Sequence, residues 1–240
     1  MSMSTLGFDI LYEDGPCLAV CKPGGVLTQA PPGIDSLEVR VRDYLRQRDG
    51  QPGKIYLGVP HRIDRPASGA LVLAKHARAA RRLAEQFEFR TIDKRYLALM
   101  SGCLPEENGT WSDWLRKIPD VARAEVCEEK AAGSKLAVLH FQVLARFNDT
   151  TLVGIQLETG RTHQIRIQAA SRGFPLLGDT FYGAAATFGP KTEDPRGQWI
   201  ALHAERLKFR HPMTREKVTV IAPLPSCWQT YRQQAAWPAD

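Results

Sequence analysis

The sequence predicts an α+β fold, a largely antiparallel mixed sheet flanked by helices and loops. Short apolar runs outnumber stretches with helical spacing. Many of those runs are joined by tight turns, which favours α+β over a doubly wound sheet. No internal repeat and no linker-like stretch interrupts the chain, so residues 1–240 are expected to form a single domain.

The elements follow in order. Phe8–Tyr12 and Cys17–Cys21 read as strands turned by Glu13-Asp14-Gly15-Pro16, and Lys22-Pro23-Gly24-Gly25 ends the second. A helix starts at Ser36, capped by Asp35 or Ser36, with Leu37, Val41, Tyr44, Leu45 and Arg48 at helical spacing. Residues 49–53 read as a loop. Ala70–Lys75 reads as a strand buried on both faces. His76–Phe89 reads as a helix burying Ala80, Leu83, Ala84 and Phe87. Lys94–Met100, Leu136–Phe147 and Thr151–Leu157 are further strands, the last two turned by Asn148-Asp149. Another helix opens near His163, capped by Thr162, and ends by Gly173. Residues 184–197 are loop, and Trp199–His203, Arg206–Arg210 and Lys217–Ile221 are late strands.

Composition narrows the function classes. No apolar run approaches the roughly 18 residues of a membrane span. Met1–Thr5 lacks the basic and apolar regions of a signal peptide, so a cytoplasmic location is expected. The five cysteines are scattered, with no CxxC pair, and reduced thiols are expected rather than a zinc site or disulfides. A net charge of +6 leans towards polyanions such as nucleic acid. Walker A, GxGxxG and HExxH patterns are absent, and no metal and no organic cofactor is expected.

Three segments carry the chemistry. His61-Arg62-Ile63-Asp64-Arg65-Pro66-Ala67-Ser68-Gly69 sets one carboxylate among three cationic or potentially cationic side chains, kept out of regular structure by Pro66 and Gly69. Asp64 is therefore expected to be ionised, a nucleophile or base, with the arginines facing an anionic substrate. Taken alone, the same segment reads equally well as a charged surface turn. Tyr96 enters a strand at Asp93-Lys94-Arg95-Tyr96. Thr159-Gly160-Arg161-Thr162-His163-Gln164-Ile165-Arg166 is a capped helix start, whose amides suit an anion beside Arg161 and Arg166. A further segment, Gly178-Asp179-Thr180-Phe181-Tyr182-Gly183, reads as a tight turn. Ser68 lacks a G-x-S-x-G elbow, which disfavours a hydrolase using His61 and Asp64.

Taken in order, these motifs resemble those of the RluA-type pseudouridine synthases. The resemblance extends to Lys22-Pro23-Gly24-Gly25, Leu202-His203-Ala204 and Phe209-Arg210-His211-Pro212, so it covers about Phe8 to Pro223. Ala67, Gln168 and Thr28-Gln29 depart from the family pattern, where threonine, histidine and a His-Pro pair are usual. The resemblance implies the pseudouridine synthase catalytic fold with its core at about 8–223; the length leaves no room for the N-terminal S4-type domain that many relatives carry, so RNA contacts are expected from the catalytic domain itself.

It also implies an RNA isomerase that converts uridines of ribosomal or transfer RNA to pseudouridine and acts as a monomer. By resemblance Asp64 is the carboxylate that acts at the sugar, as nucleophile or as base. Arg166, in preference to Arg161, is the cation paired with it, and Tyr96 stacks on the target base. Ile165 gives an apolar wall. Arg62 holds the opened RNA, and His61, Arg65 and Arg161 are further RNA contacts. Lys22, Lys75, Arg78, Arg82 and Arg172 are expected as solvated charges available to the RNA backbone.

Overall fold

The computed structural model describes residues 6–50, 53–119 and 121–234. The expectations for Met1–Thr5, and for Gln51 and Pro52 in the loop at 49–53, lie outside these residues. In chain order the elements are β1 (Asp9–Asp14), β2 (Cys17–Lys22), α1 (Leu37–Asp49), β3 (Ser68–Ala74), α2 (Ala77–Glu88), β4 (Asp93–Ser101) and β5 (Asn108–Lys117). There follow β6 (Ala124–Cys127), β7 (Lys135–Phe147), β8 (Thr150–Leu157), α3 (Gln164–Ser171), β9 (Leu202–Arg210), β10 (Lys217–Ile221) and α4 (Gln229–Gln234). The fold is α+β, as the turn-rich sequence implies. Among the described residues no helix is long and apolar enough to cross a membrane.

The chain divides into two compact units. The first runs through Lys94 and adds Asp194–Gly197 and Ala204–Leu224; the second holds Arg95–Glu193, Gln198–His203 and the segment from Pro225. β9 starts in the second unit and continues in the first.

In the first unit the strand order is β1-β2-β3-β9, with β10 on β9. β1–β2, β2–β3 and β9–β10 are antiparallel. Every residue of β2 and β3 is buried, as expected of strands covered on both faces. Val72, Leu83, Leu207, Phe209 and Val220 belong to its core. Ser36 caps α1, its hydroxyl accepting from the Val39 N–H, and Gly50 closes the helix in the left-handed region. His76 caps α2 through Nδ1, which accepts from Ala79 N–H at 3.1 Å.

The buried face of α2 is Ala79, Leu83 and Gln86, with Ala84 exposed, so the helix is rotated from the face its apolar residues predict. The cause is Gln86. Its amide donates to the Arg210 carbonyl at 2.9 Å and accepts from the Arg210 N–H at 2.8 Å. A side chain thus satisfies backbone groups at the end of β9.

In the second unit the order continues β9-β4-β8-β7-β5-β6. The pairs β4–β8, β7–β8, β5–β7 and β5–β6 are antiparallel. β5 and β6 were not legible in the sequence. In β5 only Trp111 and Leu115 are fully buried, and the intervening charges blur the alternation. The two late strands expected at Trp199–His203 and Arg206–Arg210 are replaced by one, β9. It carries Glu205 and Arg206 half-buried, and Arg206 lies 3.8 Å from Asp93. All five cysteines are unpaired thiols.

Candidate active site

In the first unit the Asp64 segment is irregular backbone, and side chains from residues 22–28 hold it. Thr28 is buried and bonds the Ile63 backbone twice. Its hydroxyl donates to the Ile63 carbonyl at 2.9 Å and accepts from the Ile63 N–H at 3.2 Å. Lys22 is fully buried. Its ammonium donates to the carbonyls of Pro23, Val26 and Arg65 at 2.8, 2.7 and 3.1 Å, which uses all three of its N–H bonds. The backbones of Ile63 and Arg65, the residues on either side of Asp64, are therefore held, and the Ala67 N–H closes the turn onto the Asp64 carbonyl at 3.1 Å.

Burial pushes the Lys22 ammonium down to about 7, against the opposing pull of the Asp64 charge. Lys22 was expected as a solvated charge. Its burial corrects that reading, because three carbonyls replace water around the ammonium.

Gly69 is where the segment enters β3. The sequence reading placed it outside regular structure, yet it lies in the strand, paired with Lys22. Its φ is +123°, and a Cβ there would lie 2.3 Å from the Ala204 carbonyl oxygen. Only glycine lets β3 approach that backbone.

Asp64 itself is half-buried, Arg62 is exposed, and Arg65 is half-buried. The Arg65 Nε has no hydrogen-bond partner among the described residues. His61 is turned inward. Its Nε2 accepts from the Val72 N–H at 3.0 Å, and its ring stacks on Phe87 at 4.2 Å. Burial, and then the Lys94 charge, push His61 down to about 3, so the ring is neutral at neutral pH.

In the second unit Arg166 lies on α3, 5% exposed. Its Nε and Nη2 donate to the two oxygens of Asp179 at 2.7 and 2.8 Å, a bidentate pair. Asp179 is equally buried, in a turn where Gly178 has φ +82° and a Cβ would meet the Trp199 carbonyl at 2.3 Å. The Asp179 turn was read as plain turn chemistry. It supplies the carboxylate that fixes Arg166, and the signal was the glycine-bounded spacing around an acid.

The segment before α3 is latched by Gln164. Its Oε1 accepts from the Thr159 hydroxyl at 2.7 Å and the Arg161 N–H at 3.0 Å, while Nε2 donates to the Val138 carbonyl at 3.0 Å. The helix therefore opens one residue later than a Thr162 cap requires. His163 takes the N-cap position at φ 53°, with no side-chain cap. Its Nδ1 lies 2.9 Å from the Tyr182 hydroxyl, a contact that offsets the cost of a left-handed histidine.

Arg161 Nε donates to the Leu136 carbonyl at 2.9 Å, Ile165 is buried, and Tyr96 is half-buried on β4 opposite Ile155 of β8. The residues expected at the site thus fall into two groups. His61, Arg62, Asp64 and Arg65 belong to the first unit; Tyr96, Arg161, Ile165 and Arg166 belong to the second.

Several arginines and lysines expected as solvated charges have internal partners instead. Lys75 pairs with Glu13 at 2.6 Å, Arg172 with Asp113 at 2.9 Å, and Arg82 donates to the Pro212 carbonyl at 2.8 Å. Among the described residues no cluster of three or more His, Cys, Asp or Glu side chains is arranged to hold a metal ion.

The sequence pattern of the family described as RNA pseudouridylate synthase matches residues 16–171. An uncharacterized RNA pseudouridine synthase, YlyB, of Bacillus subtilis is 40% identical over 223 residues, covering 92% of this chain and 70% of that protein. The tRNA pseudouridine synthase C of Haemophilus ducreyi is 34% identical over 245 residues, 95% of this chain and 96% of its own length. The ribosomal large subunit pseudouridine synthase D of Xylella fastidiosa is 33% identical, over 90% of this chain and 66% of that protein. Among solved structures, human RNA Pseudouridylate Synthase Domain Containing 4 superposes with a TM-score of 0.77 at 21% identity, covering 96% of this chain and 95% of that one. Domain Containing 1 gives 0.69 at 25% identity over the full length of both.

Proposed function

This chain belongs to the RNA pseudouridylate synthase family, and from that premise we propose that it isomerises particular uridines of ribosomal or transfer RNA, with Asp64 as the reacting carboxylate. The reaction breaks the N1–C1′ bond, turns the uracil and joins C5 to C1′. The proton lost from C5 is matched by one gained at N1, so atoms and electrons balance without a cofactor or metal. What the step requires is a carboxylate at the sugar, as nucleophile or as base.

The observation that carries the assignment is the double clamp around Asp64. Thr28 on residue 63 and Lys22 on residue 65 give the carboxylate a fixed backbone, the pre-organisation such a step requires. Arg166 is the cation that supports the ionised carboxylate. Its bidentate pairing with Asp179 favours that role, because a guanidinium held through two nitrogens keeps one orientation. Tyr96 faces the target base and Ile165 is the apolar wall beside it.

The target atoms are inaccessible in a stacked base, so the uridine is flipped out, and loops or bulges are the cheapest places to do so. Arg62 steadies the opened RNA, with His61, Arg65 and Arg161 as further contacts. On this reading residues 1–240 are one catalytic domain with its core at about 8–223, acting in the cytoplasm as a monomer.

The test is pseudouridine profiling of cellular RNA from a strain lacking the gene, complemented with wild-type protein or Asp64→Ala. Wild type is expected to restore specific sites and Asp64→Ala none. Equal restoration by both removes Asp64 from the chemistry.

A further inference from the structure

Beside Arg166 the second unit carries an aromatic and cationic surface that the reaction does not use. Phe181 is 45% exposed. The exposed Arg123 guanidinium lies 5.4 Å from the Phe181 ring centre and 5.5 Å from that of Tyr182. Arg166 lies 5.9 Å from the Phe181 ring and 5.0 Å from the Tyr182 ring. The His163 ring meets Phe181 edge-on at 6.2 Å.

The group stands on a fixed base. The Tyr182 hydroxyl accepts from the Ala124 N–H at 3.0 Å and donates to the Ala124 carbonyl at 3.3 Å, which ties the turn bearing Phe181 to β6, next to Arg123. Burial explains Tyr182. It does not explain a phenyl ring left half in water under an exposed guanidinium.

We propose that Arg123 and Phe181 form a docking platform for an unpaired nucleotide of the substrate RNA, next to the uridine being modified. This rests on the reading of the chain as an RNA pseudouridine synthase and adds where a flanking nucleotide is held. Unpaired bases stack on aromatic rings and on guanidinium planes, and the Arg123 charge complements the phosphate. Phe181 and Arg166 are in contact range, so a base on Phe181 lies within a nucleotide's reach of the cation assigned to the chemistry. A purely aliphatic or acidic partner would leave either the ring or the guanidinium unmatched.

The experiment uses the full chain in two assays. One is pseudouridine formation on total RNA from a strain lacking the gene. The other is the anisotropy of a fluorescein-labelled single-stranded RNA carrying the mapped uridine. Phe181→Ala and Arg123→Ala are each expected to raise the half-saturating RNA concentration about 5- to 30-fold. The rate at saturating RNA should stay within about twofold and the melting temperature should be unchanged. Phe181→Trp is expected to bind as wild type does, and Phe181→Leu to stay weak.

Unchanged half-saturation in both alanine variants overturns the proposal. So does Leu serving as well as Trp, or a fall in maximal rate alone, which would mean that Phe181 only packs Arg166. Competition by polyglutamate as strong as by RNA would assign the surface to an acidic protein and overturn it too. If Phe181→Ala fails to fold, Arg123→Ala at the exposed end decides. A wild-type protein that forms no pseudouridine defeats the parent reading, while the same anisotropy series on fluorescein-labelled oligouridine still tests the platform.

Discussion

The segments carrying Asp64 and Arg166 are fixed by opposite means. Around Asp64 the backbone is irregular, and neutral or cationic side chains bind its peptide groups: Thr28 on residue 63, Lys22 on residue 65. Around Arg166 the backbone is the first turn of an α-helix, and a buried carboxylate binds the side chain. A loop needs side chains to satisfy its buried peptides. A helix frees side chains to hold one another. The first arrangement orients a carboxylate through its main chain. The second orients a cation directly and at the cost of burying two charges.

The largest expected effect breaks the chemistry and leaves both scaffolds alone. Asp64→Asn should lower the rate of pseudouridine formation by at least about 10³-fold, with salt-sensitive RNA affinity retained, because phosphate contacts carry binding. Single-turnover kinetics and anisotropy check the two halves.

Next is Asp179→Ala, which leaves the Arg166 guanidinium buried without its carboxylate. It should cost about 3–5 kcal/mol of stability, read by urea unfolding. Replacing both residues with apolar ones should recover much of that loss while abolishing activity. A loss well under 1 kcal/mol in Asp179→Ala would dissolve the contrast between the two segments.

Thr28→Val keeps shape and removes both hydrogen bonds to the Ile63 backbone. It should cost about 1–3 kcal/mol and lower kcat about tenfold with KM nearly unchanged, whereas Thr28→Ser should restore both. A Val variant as active as wild type would mean that the Lys22 side of the clamp suffices.

The smallest effect is a pH dependence. His61 is held neutral, well below its ordinary 6.5, so below that value the unfolded chain binds a proton that the native state does not. Stability should therefore fall as pH drops from 6.5 towards 3, by about 1 kcal/mol between pH 6.5 and 5.5. His61→Asn should flatten that slope in urea titrations.

Much of this was legible beforehand, for reasons visible in particular residues. Apolar β3, amphipathic α1 and alternating β10 announce themselves because their local pattern matches their burial. β5 and β6 do not, since few of their side chains enter the core. The ordered motifs around Asp64, Tyr96 and Arg166 identified the family from sequence, and the matched family pattern agrees.

The jobs of Lys22, Thr28, Gln86 and Asp179 were invisible. Each acts on a partner 13 to 124 residues away in the chain. Thr28 looked only like a departure from the family pattern, and Lys22 like a solvated charge. Local periodicity, turn chemistry and motif order thus determined the fold class, the family and the residues expected to react. The tertiary structure alone decided which polar side chains are withdrawn from water to hold them. That choice depends on which carbonyls, amides and charges meet once burial has removed the solvent that would otherwise serve every one of them.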